Sequence, residues 1–168
     1  MSIHVSKDCD LEFLPDVERS AAKKFISYRT SESQNSGRVL AHDIILKAHK
    51  NKTLWIAFKN NDPIGFLAAT PVDKGLHIEE LSVMFDHQGQ GIGKQLIQAI
   101  ITEARIREHS LISLTTDALI PWNKPFYERL GFQEIALNNC KADLSKVLIK
   151  DKGHSDIPEN RIAMILKF

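Results

Sequence analysis

The sequence predicts an α/β fold with a mixed, mostly antiparallel central sheet of about seven strands, flanked by helices on both faces. Two observations support this prediction. Short β-rich segments in the middle of the chain are separated only by turn residues, which is typical of an antiparallel meander. Later β-rich segments alternate with amphipathic helices, and strand–helix–strand units require parallel pairing. The 168 residues suit a single domain over residues 1–168 with a hydrophobic core.

The first part of the chain is predicted to form a strand and two helices. Residues 3–7 alternate apolar and polar side chains, as a half-buried strand does. Pro15 fits the first turn of a helix whose apolar positions continue to Phe25. Residues 39–50 have the pattern of a second amphipathic helix. Between these helices, residues 30–37 are rich in Ser and Asn, and we expect a mobile loop there.

Three strands joined by two turns are predicted next, at residues 53–59, 64–72 and 76–85. Asn-Asn-Asp-Pro at residues 60–63 and Asp-Lys-Gly at residues 73–75 are turn sequences. These segments therefore predict a three-stranded meander.

The second half of the chain alternates helices and strands. A long helix at residues 91–110 has an apolar stripe, and Gly131 is at the C-cap position of a short helix. The predicted elements are a helix at 91–110, a strand at 111–116, a helix at 122–130, a strand at 132–137, some helix around 141–149 and a strand at 161–168.

Composition and charge exclude several classes of protein. The chain is 43% hydrophobic and 26% charged, which argues against disorder and fibrous structure. Its formal net charge of +1 argues against a nucleic-acid partner. No apolar stretch approaches the roughly 20 residues that span a bilayer, and the histidines form no metal-binding pattern. Two cysteines without a compelling spacing fit a reducing compartment, and we expect a cytoplasmic protein with no metal and no membrane association.

A glycine-rich segment lies between a predicted strand and a predicted helix. Residues 87–94 have the sequence His-Gln-Gly-Gln-Gly-Ile-Gly-Lys. A helix N-terminus has unpaired N–H groups and a partial positive charge, and glycines let a phosphate approach the backbone closely. Lys94 adds a full charge. The segment matches neither the Walker loop nor the dinucleotide-binding fingerprint, and we interpret it as a pyrophosphate-binding loop. The alternative is a strand-to-helix turn that binds no ligand.

Three segments make the chain resemble the GNAT superfamily of N-acetyltransferases. Residues 88–93 match the family motif Gln/Arg-x-x-Gly-x-Gly/Ala after a strand. Residues 78–83 resemble the family's fourth strand. Residues 123–132 resemble a later segment that has an asparagine and ends in Tyr-x-x-x-Gly-Phe. The predicted order of elements also agrees over nearly the whole chain. The resemblance implies the GNAT acyl-CoA N-acyltransferase fold and acetyl-CoA as the acetyl donor.

The resemblance also implies how the donor is held. The residues that would hold the pyrophosphate are Gln88, Gly89, Gly91, Gly93 and Lys94. Backbone groups around Leu81 and Val83 would hold the pantetheine arm and polarise the thioester, where the family's fourth and fifth strands splay. Asn123 and Phe126 would line the pantetheine.

Tyr127 is the candidate catalytic acid. It matches the family tyrosine that protonates the departing CoA sulfur, and a phenol pKa of about 10 lies near that of a thiol. The alternative is a helix residue that packs on the sheet.

Glu79 is the candidate base for the acceptor amine. Alternation along a strand places Glu79 on the same face as His77, Leu81 and Val83. If that face meets the thioester, Glu79 is the candidate, acting directly or through water. His77 is the reserve, and a β-bulge would exchange Glu79 for Glu80. In the alternative interpretation, Glu79 and Glu80 are both solvated carboxylates at the start of a strand. Bulk water then takes the proton of the amine.

The predicted function is transfer of the acetyl group to a primary amine of a small molecule, by direct attack in a ternary complex. One alternative is acetylation of a protein N-terminus or lysine, and another is a non-catalytic module that binds acyl-CoA. Glu18 and Glu32 could attract a cationic amine, although surface charge is their default role. The sequence determines neither the identity of the acceptor nor the oligomeric state. Members of the family are often homodimers.

Overall fold

The computed structural model describes residues 1–28, 39–140, 142–153 and 160–168. Its strands are β1 (Ser2–Val5), β2 (Leu54–Lys59), β3 (Asp62–Val72), β4 (Gly75–Val83), β5 (Leu111–Asp117), β6 (Gln133–Ile135) and β7 (Arg161–Lys167). Its α-helices are α1 (Leu14–Ala22), α2 (His42–Lys50), α3 (Ile92–Ile106), α4 (Asn123–Glu128) and α5 (Ala142–Gly153). Short 3-10 helices span Asp8–Phe13, Lys23–Tyr28, Phe85–His87 and Leu137–Asn139.

The predicted elements are present, with ends that differ by a few residues. The predicted Ser/Asn-rich loop at residues 30–37 lies outside the described residues. Within the described ranges, no helix is both long and apolar enough to cross a membrane.

The seven strands form one mixed sheet in the order β1-β2-β3-β4-β5-β7-β6. β4 and β5 are parallel, whereas β1–β2, β2–β3, β5–β7 and β6–β7 are antiparallel pairs. The predicted α/β class, with a mostly antiparallel sheet of seven strands, is therefore confirmed. The second strand–helix–strand unit differs from a simple parallel pair, because β7 lies between β5 and β6.

Contacts within the chain divide it into two compact units. Unit 1 comprises residues 1–70 and 79–103, and unit 2 comprises residues 71–78 and 104–168. The strand β4 contributes its first four residues to unit 2 and the rest to unit 1. The prediction of a single domain over residues 1–168 stays a prediction.

In unit 1, a tight hairpin joins β2 and β3. Asn60 and Asn61 have φ angles of 53° and 70°, which suits a two-residue turn, and asparagine tolerates this left-handed region. The register shifts between Ala57 and Phe58, which leaves Ile64 as the extra residue of a β-bulge beside Pro63. Proline at this position fits, because a bulge spares the strand a ladder hydrogen bond that proline could not donate.

The core of unit 1 lies between this hairpin and the helices α1 and α2. Alternate residues of each strand share one face. The buried core residues are Leu14 and Val17 of α1, Ile45 and Ala48 of α2, Leu54 and Ile56 of β2, and Phe66 and Ala68 of β3. The next residue of β3 on that face is Thr70, which is also buried.

In unit 2, β4 enters the sheet at a glycine. A Cβ atom at Gly75 would lie 2.4 Å from the carbonyl oxygen of Leu111, its parallel partner on β5, so a side chain cannot fit there without a shift of the backbone. The core of this unit packs α5 against the sheet through Val72, Leu144, Leu148, Ala163 and Ile165.

A buried polar network also ties α5 to the sheet. The fully buried His77 contacts Ser113 Oγ at 2.9 Å through Nδ1 and Asp151 Oδ2 at 3.1 Å through Nε2. Thr115 Oγ1 donates to Asp151 Oδ2 at 2.8 Å and accepts from Arg161 Nε at 3.0 Å. Burial alone would raise the pKa of the Asp151 carboxyl, but the hydrogen bonds from His77 and Thr115 and the nearby positive charges bring that pKa below its usual value.

Candidate active site

The glycine-rich loop of unit 1 joins the end of β4 to the start of α3. After the 3-10 helix at Phe85–His87, the chain passes through Gly89 and Gly91 before α3 begins at Ile92. These glycines have φ angles of 74° and 79°, a region that other residues rarely adopt. A Cβ atom at either position would find no heavy atom within 4 Å. The loop therefore presents bare backbone to open space.

The start of α3 supplies the electrostatics of an anion site. The first N–H groups of a helix have no partner within the helix, and they carry a partial positive charge. Gly93 and Lys94 lie in this first turn, with Gly93 half-buried and Lys94 exposed. Backbone donors, a helix end and a cationic side chain beside an open cradle fit the pyrophosphate of an acyl-CoA.

The side chain of Gln88 points back into the protein. Its Nε2 donates to Val83 O at 2.9 Å and to Ala21 O at 3.3 Å. These two bonds fasten the loop to the end of β4 and to the end of α1. Any contribution of Gln88 to phosphate binding then comes from its position in the loop backbone, since its amide donor is already engaged.

The carboxyl group of Glu79 is held by a neighbouring strand. Thr70 Oγ1 on β3 donates to Glu79 Oε1 at 2.5 Å. Glu79 is half-buried, and so are Leu81 and Val83 farther along β4. Because Thr70 shares the face of the core residues Phe66 and Ala68, Glu79 is reached from the side of the sheet that carries α1 and α2.

The neighbouring carboxyl group of Glu80 lies beside a second acid. Glu80 accepts a hydrogen bond from Ser82 Oγ at 2.8 Å. Burial, followed by repulsion from Glu80, raises the pKa of Glu18 on α1 to about 7, although the N–H of Leu40 donates to both oxygens of Glu18 at 2.9 Å.

His77 is not available as the reserve base. The ring has no exposed surface, and both of its nitrogens are engaged by Ser113 and Asp151. An imidazole in this setting has no free nitrogen to offer an acceptor amine.

In unit 2, a helix-ending motif fixes the position of Tyr127. The N–H of Phe132 donates to Tyr127 O at 3.1 Å, and the N–H of Gly131 donates to Glu128 O at 2.9 Å. Gly131 has a φ of 93°. This is the Schellman pattern, and its usual apolar contact is present because the rings of Tyr127 and Phe132 meet edge-on at 5.8 Å. The Tyr-x-x-x-Gly-Phe spacing therefore has a structural cause.

Two further predicted residues lie on the same helix. Asn123 is the first residue of α4, and Phe126 is half-buried with its ring centroid 5.0 Å from that of Tyr127. Unit 2 thus brings Asn123, Phe126 and Tyr127 together on one short helix. Unit 1 brings together the other predicted residues, from Glu79 to Lys94.

Neither the partner of Glu79 nor the proximity of Glu18 to Glu80 was predicted from the sequence. A tight turn at residues 73–74 places residue 70 diagonally across from residue 79, so the hairpin register was the signal for Thr70. For Glu18, only attraction of an amine was expected, because its proximity to Glu80 depends on how α1 packs on the sheet.

Comparison with known proteins finds similarity to acetyltransferases. A family model described as an acetyltransferase (GNAT) domain matches residues 50–134, just over half of the chain. N-acetyltransferase 8F1 of Rattus norvegicus is 34% identical over 95 residues, which cover 53% of this chain and 42% of that protein. The chain therefore spans about two fifths of the length of this curated relative.

Solved structures with a similar fold cover almost the entire chain. The PaiA N-acetyltransferase of Thermoplasma acidophilum in complex with coenzyme A has a TM-score of 0.73 at 17% identity, with 99% of this chain and 98% of that chain covered. The ribosomal-protein-S18-alanine N-acetyltransferase of Escherichia coli has a TM-score of 0.65 at 21% identity, with 99% and 92% covered. At these identities the likeness concerns the fold alone.

The loop assignment predicts the effect of a carboxylate at Gly91. In Gly91→Asp, a negative side chain occupies the open space in front of the loop and the backbone is strained by its left-handed φ. We expect acetyl-CoA affinity to fall by about 100-fold or more, measured by calorimetry. Gln98→Asp, which adds the same charge on the exposed face of α3, is the control and keeps its affinity. Unchanged affinity in Gly91→Asp would contradict the assignment.

The raised pKa of Glu18 predicts how stability depends on pH. Between its ordinary value of 4.5 and about 7, the folded chain holds this proton more tightly than the unfolded chain does, so the free energy of unfolding falls as pH rises through that range. Glu18→Gln does not titrate. After allowance for solvent screening, we expect the stability of wild type relative to Glu18→Gln to fall by on the order of 1 kcal/mol between pH 5 and pH 8, measured by urea unfolding.

The matched control is Glu12→Gln, which removes an exposed acid from the preceding 3-10 helix. Its stability should follow that of wild type across the same pH range. A Glu18→Gln curve that runs parallel to wild type would show that the Glu18 proton is not linked to folding.

Proposed function

We propose that this chain, which belongs to the GNAT acetyltransferase family, transfers the acetyl group of acetyl-CoA to a primary amine of a small molecule. The observation that carries the proposal is the glycine loop at the start of α3, whose bare backbone faces open space directly after the strand that holds Glu79. The loop anchors the donor, and Glu79 and Tyr127 carry out the proton transfers.

Several of the predicted residues take part in holding acetyl-CoA. The backbone of residues 88–93 and the side chain of Lys94 bind the pyrophosphate. Backbone groups of Leu81 and Val83 bind the pantetheine arm, and Asn123 and Phe126 line it. The parallel ladder of β4 with β5 ends at the pair Ile78–Leu114, and this supports a role in binding for the β4 backbone beyond it.

Two proton transfers are assigned to side chains of this protein: one from the acceptor ammonium group and one to the departing sulfur. Bound acetyl-CoA supplies an acetyl thioester, whose carbonyl carbon the free amine attacks in a ternary complex. Glu79 accepts the proton that the ammonium group must lose, directly or through a water. Backbone N–H groups near Leu81 stabilise the negative charge that develops on the carbonyl oxygen. As the C–S bond breaks, Tyr127 donates its phenolic proton to the sulfur and regains a proton from the solvent or from the new amide nitrogen.

The main alternative is acetylation of a protein N-terminus or lysine. It is favoured by the fold likeness to an enzyme described as acting on an alanine of ribosomal protein S18. The acidic pair Glu18 and Glu80 instead fits a small cationic acceptor, because two half-buried carboxyl groups attract an amine. A non-catalytic acyl-CoA-binding module would need neither Glu79 nor Tyr127. A homodimer and a cytoplasmic location stay predictions.

An acceptor screen tests the proposal. At saturating acetyl-CoA, we expect thiol release with at least one small amine from a panel of diamines, amino acids and arylalkylamines, and a product heavier by one acetyl group. Peptides with a free N-terminal amine or an internal lysine form the second arm of the panel. Turnover with peptides alone would favour the protein acceptor, and tight acetyl-CoA binding without any turnover would favour the binding module.

Tyr127→Phe tests the catalytic acid. The phenylalanine ring keeps the contacts with Phe126 and Phe132, so acetyl-CoA affinity should stay at the wild-type value. Loss of the proton donor should lower kcat by about 100-fold, within the usual range for general acid catalysis. A kcat equal to that of wild type would mean that Tyr127 only packs.

A further inference from the structure

Thr70 forms the only hydrogen bond to the Glu79 carboxyl group among the residues that the structure describes. Its Oγ1 lies 2.5 Å from Glu79 Oε1, a short distance for a hydroxyl that donates to a carboxylate. Thr70 is 4% exposed on a strand that is buried over most of its length. A hydroxyl in such a place needs a partner, and here the partner is the candidate base.

The geometry of Thr70 makes it a rigid donor. Threonine is branched at Cβ, so its χ1 angle is restricted by the strand backbone. The backbone itself is fixed, because Ala69 donates its N–H to Thr53 O at 3.0 Å and Ala68 pairs with Leu54 of β2. The position of the hydroxyl is therefore set by the sheet.

Glu79, by contrast, has a flexible side chain that must be held to be effective. Several rotatable bonds separate its carboxyl group from the backbone, and free rotation would spread that group over many positions. The bond to Oε1 selects one of them. The second oxygen, Oε2, has no hydrogen-bond partner in the described ranges, and the side chain is only half-buried. One oxygen is thus held while the other can take a proton.

Glu80 has a different environment. Its hydroxyl donor is Ser82, two residues along the same strand, so this bond does not tie it to another element. Its neighbour Glu18 is an acid whose proton is retained to near neutral pH. Glu79, by comparison, is anchored by a hydrogen bond from a separate, buried strand.

We propose that Thr70 is the positioning residue for the base Glu79: its buried hydroxyl holds Oε1 and leaves Oε2 to accept the proton of the amine. The inference rests on the proposed function, in which Glu79 accepts the proton of the amine. Thr70 lies on β3, outside the motif segments at residues 78–83, 88–93 and 123–132.

Thr70→Val is the variant that tests this role, because valine keeps the shape and removes the donor. In ligand-free protein labelled with 13C at the glutamate carboxyl carbons, the Glu79 signal is identified by its loss in Glu79→Gln. We expect this signal to change position at a fixed pH in Thr70→Val, because the carboxyl group loses its hydrogen-bond donor.

The kinetic readout is the split between kcat and KM. With an acceptor from the screen, Thr70→Val should lower kcat by about 10-fold and leave the KM for acetyl-CoA unchanged. Thr70→Ser keeps the hydroxyl and should restore both the wild-type Glu79 signal and most of the rate.

Thr53→Val is the matched control. Thr53 is also a fully buried threonine of unit 1, but its Oγ1 donates to the backbone oxygens of Ala48 and Ala69. This variant should lose stability without any change in the Glu79 carboxyl signal. A shift in Thr53→Val equal to that in Thr70→Val would overturn the inference, since both would then report general loosening.

The outcomes separate the inference from the function on which it rests. An unchanged Glu79 carboxyl signal in folded Thr70→Val overturns the inference and leaves the acetyltransferase proposal intact. Full activity in Glu79→Gln removes the base from the proposed function, and the positioning role fails with it. A shifted Glu79 signal with a reduced kcat, both restored by Thr70→Ser, supports the positioning role.

Discussion

Burial of polar side chains along β4 is the constraint on which both units depend. A strand that takes imidazole and carboxyl groups out of water is stable only when those groups find hydrogen-bond partners. In unit 2, His77 is satisfied by Asp151 of α5. In unit 1, Glu79 is satisfied by Thr70 of β3. The polar residues of this strand therefore specify its neighbours, in addition to the apolar residues that only require burial.

Local signals in the sequence were sufficient for most of the fold. The Asn60–Asn61 turn, the glycine that ends α4 and the glycine loop before α3 were each predicted, because the chemistry that forms them lies within a few residues. The same holds for the helices, whose apolar stripes follow from spacing alone. The positions of Gln88 and Tyr127 relative to secondary structure were predictable for this reason.

What the sequence left open depends on contacts between distant segments. Nothing near β6 or β7 indicates that the last strand inserts beside β5, since strand order is decided by long-range pairing. The anchoring of Gln88 to Ala21 likewise joins positions 67 residues apart. Gln88 lies where the motif places a phosphate-binding residue, but its side chain hydrogen-bonds to Ala21 and so connects the loop to α1. Motif matching identifies where such a residue lies, and only packing shows what its side chain does.

The turn at Gly131 determines the orientation of the Tyr127 side chain, four residues earlier. Substitution of Gly131 therefore affects Tyr127. A Cβ atom at Gly131 would lie 3.2 Å from the side chain of Leu166. The φ angle of 93° at this position would also strain any residue that has a side chain. Both turn hydrogen bonds and the ring contact with Phe132 would be weakened together. In a saturation mutagenesis screen scored by turnover, Gly131 would therefore rank beside the reactive positions although it carries no functional group. Intolerance to substitution in this segment measures orientation as much as chemistry.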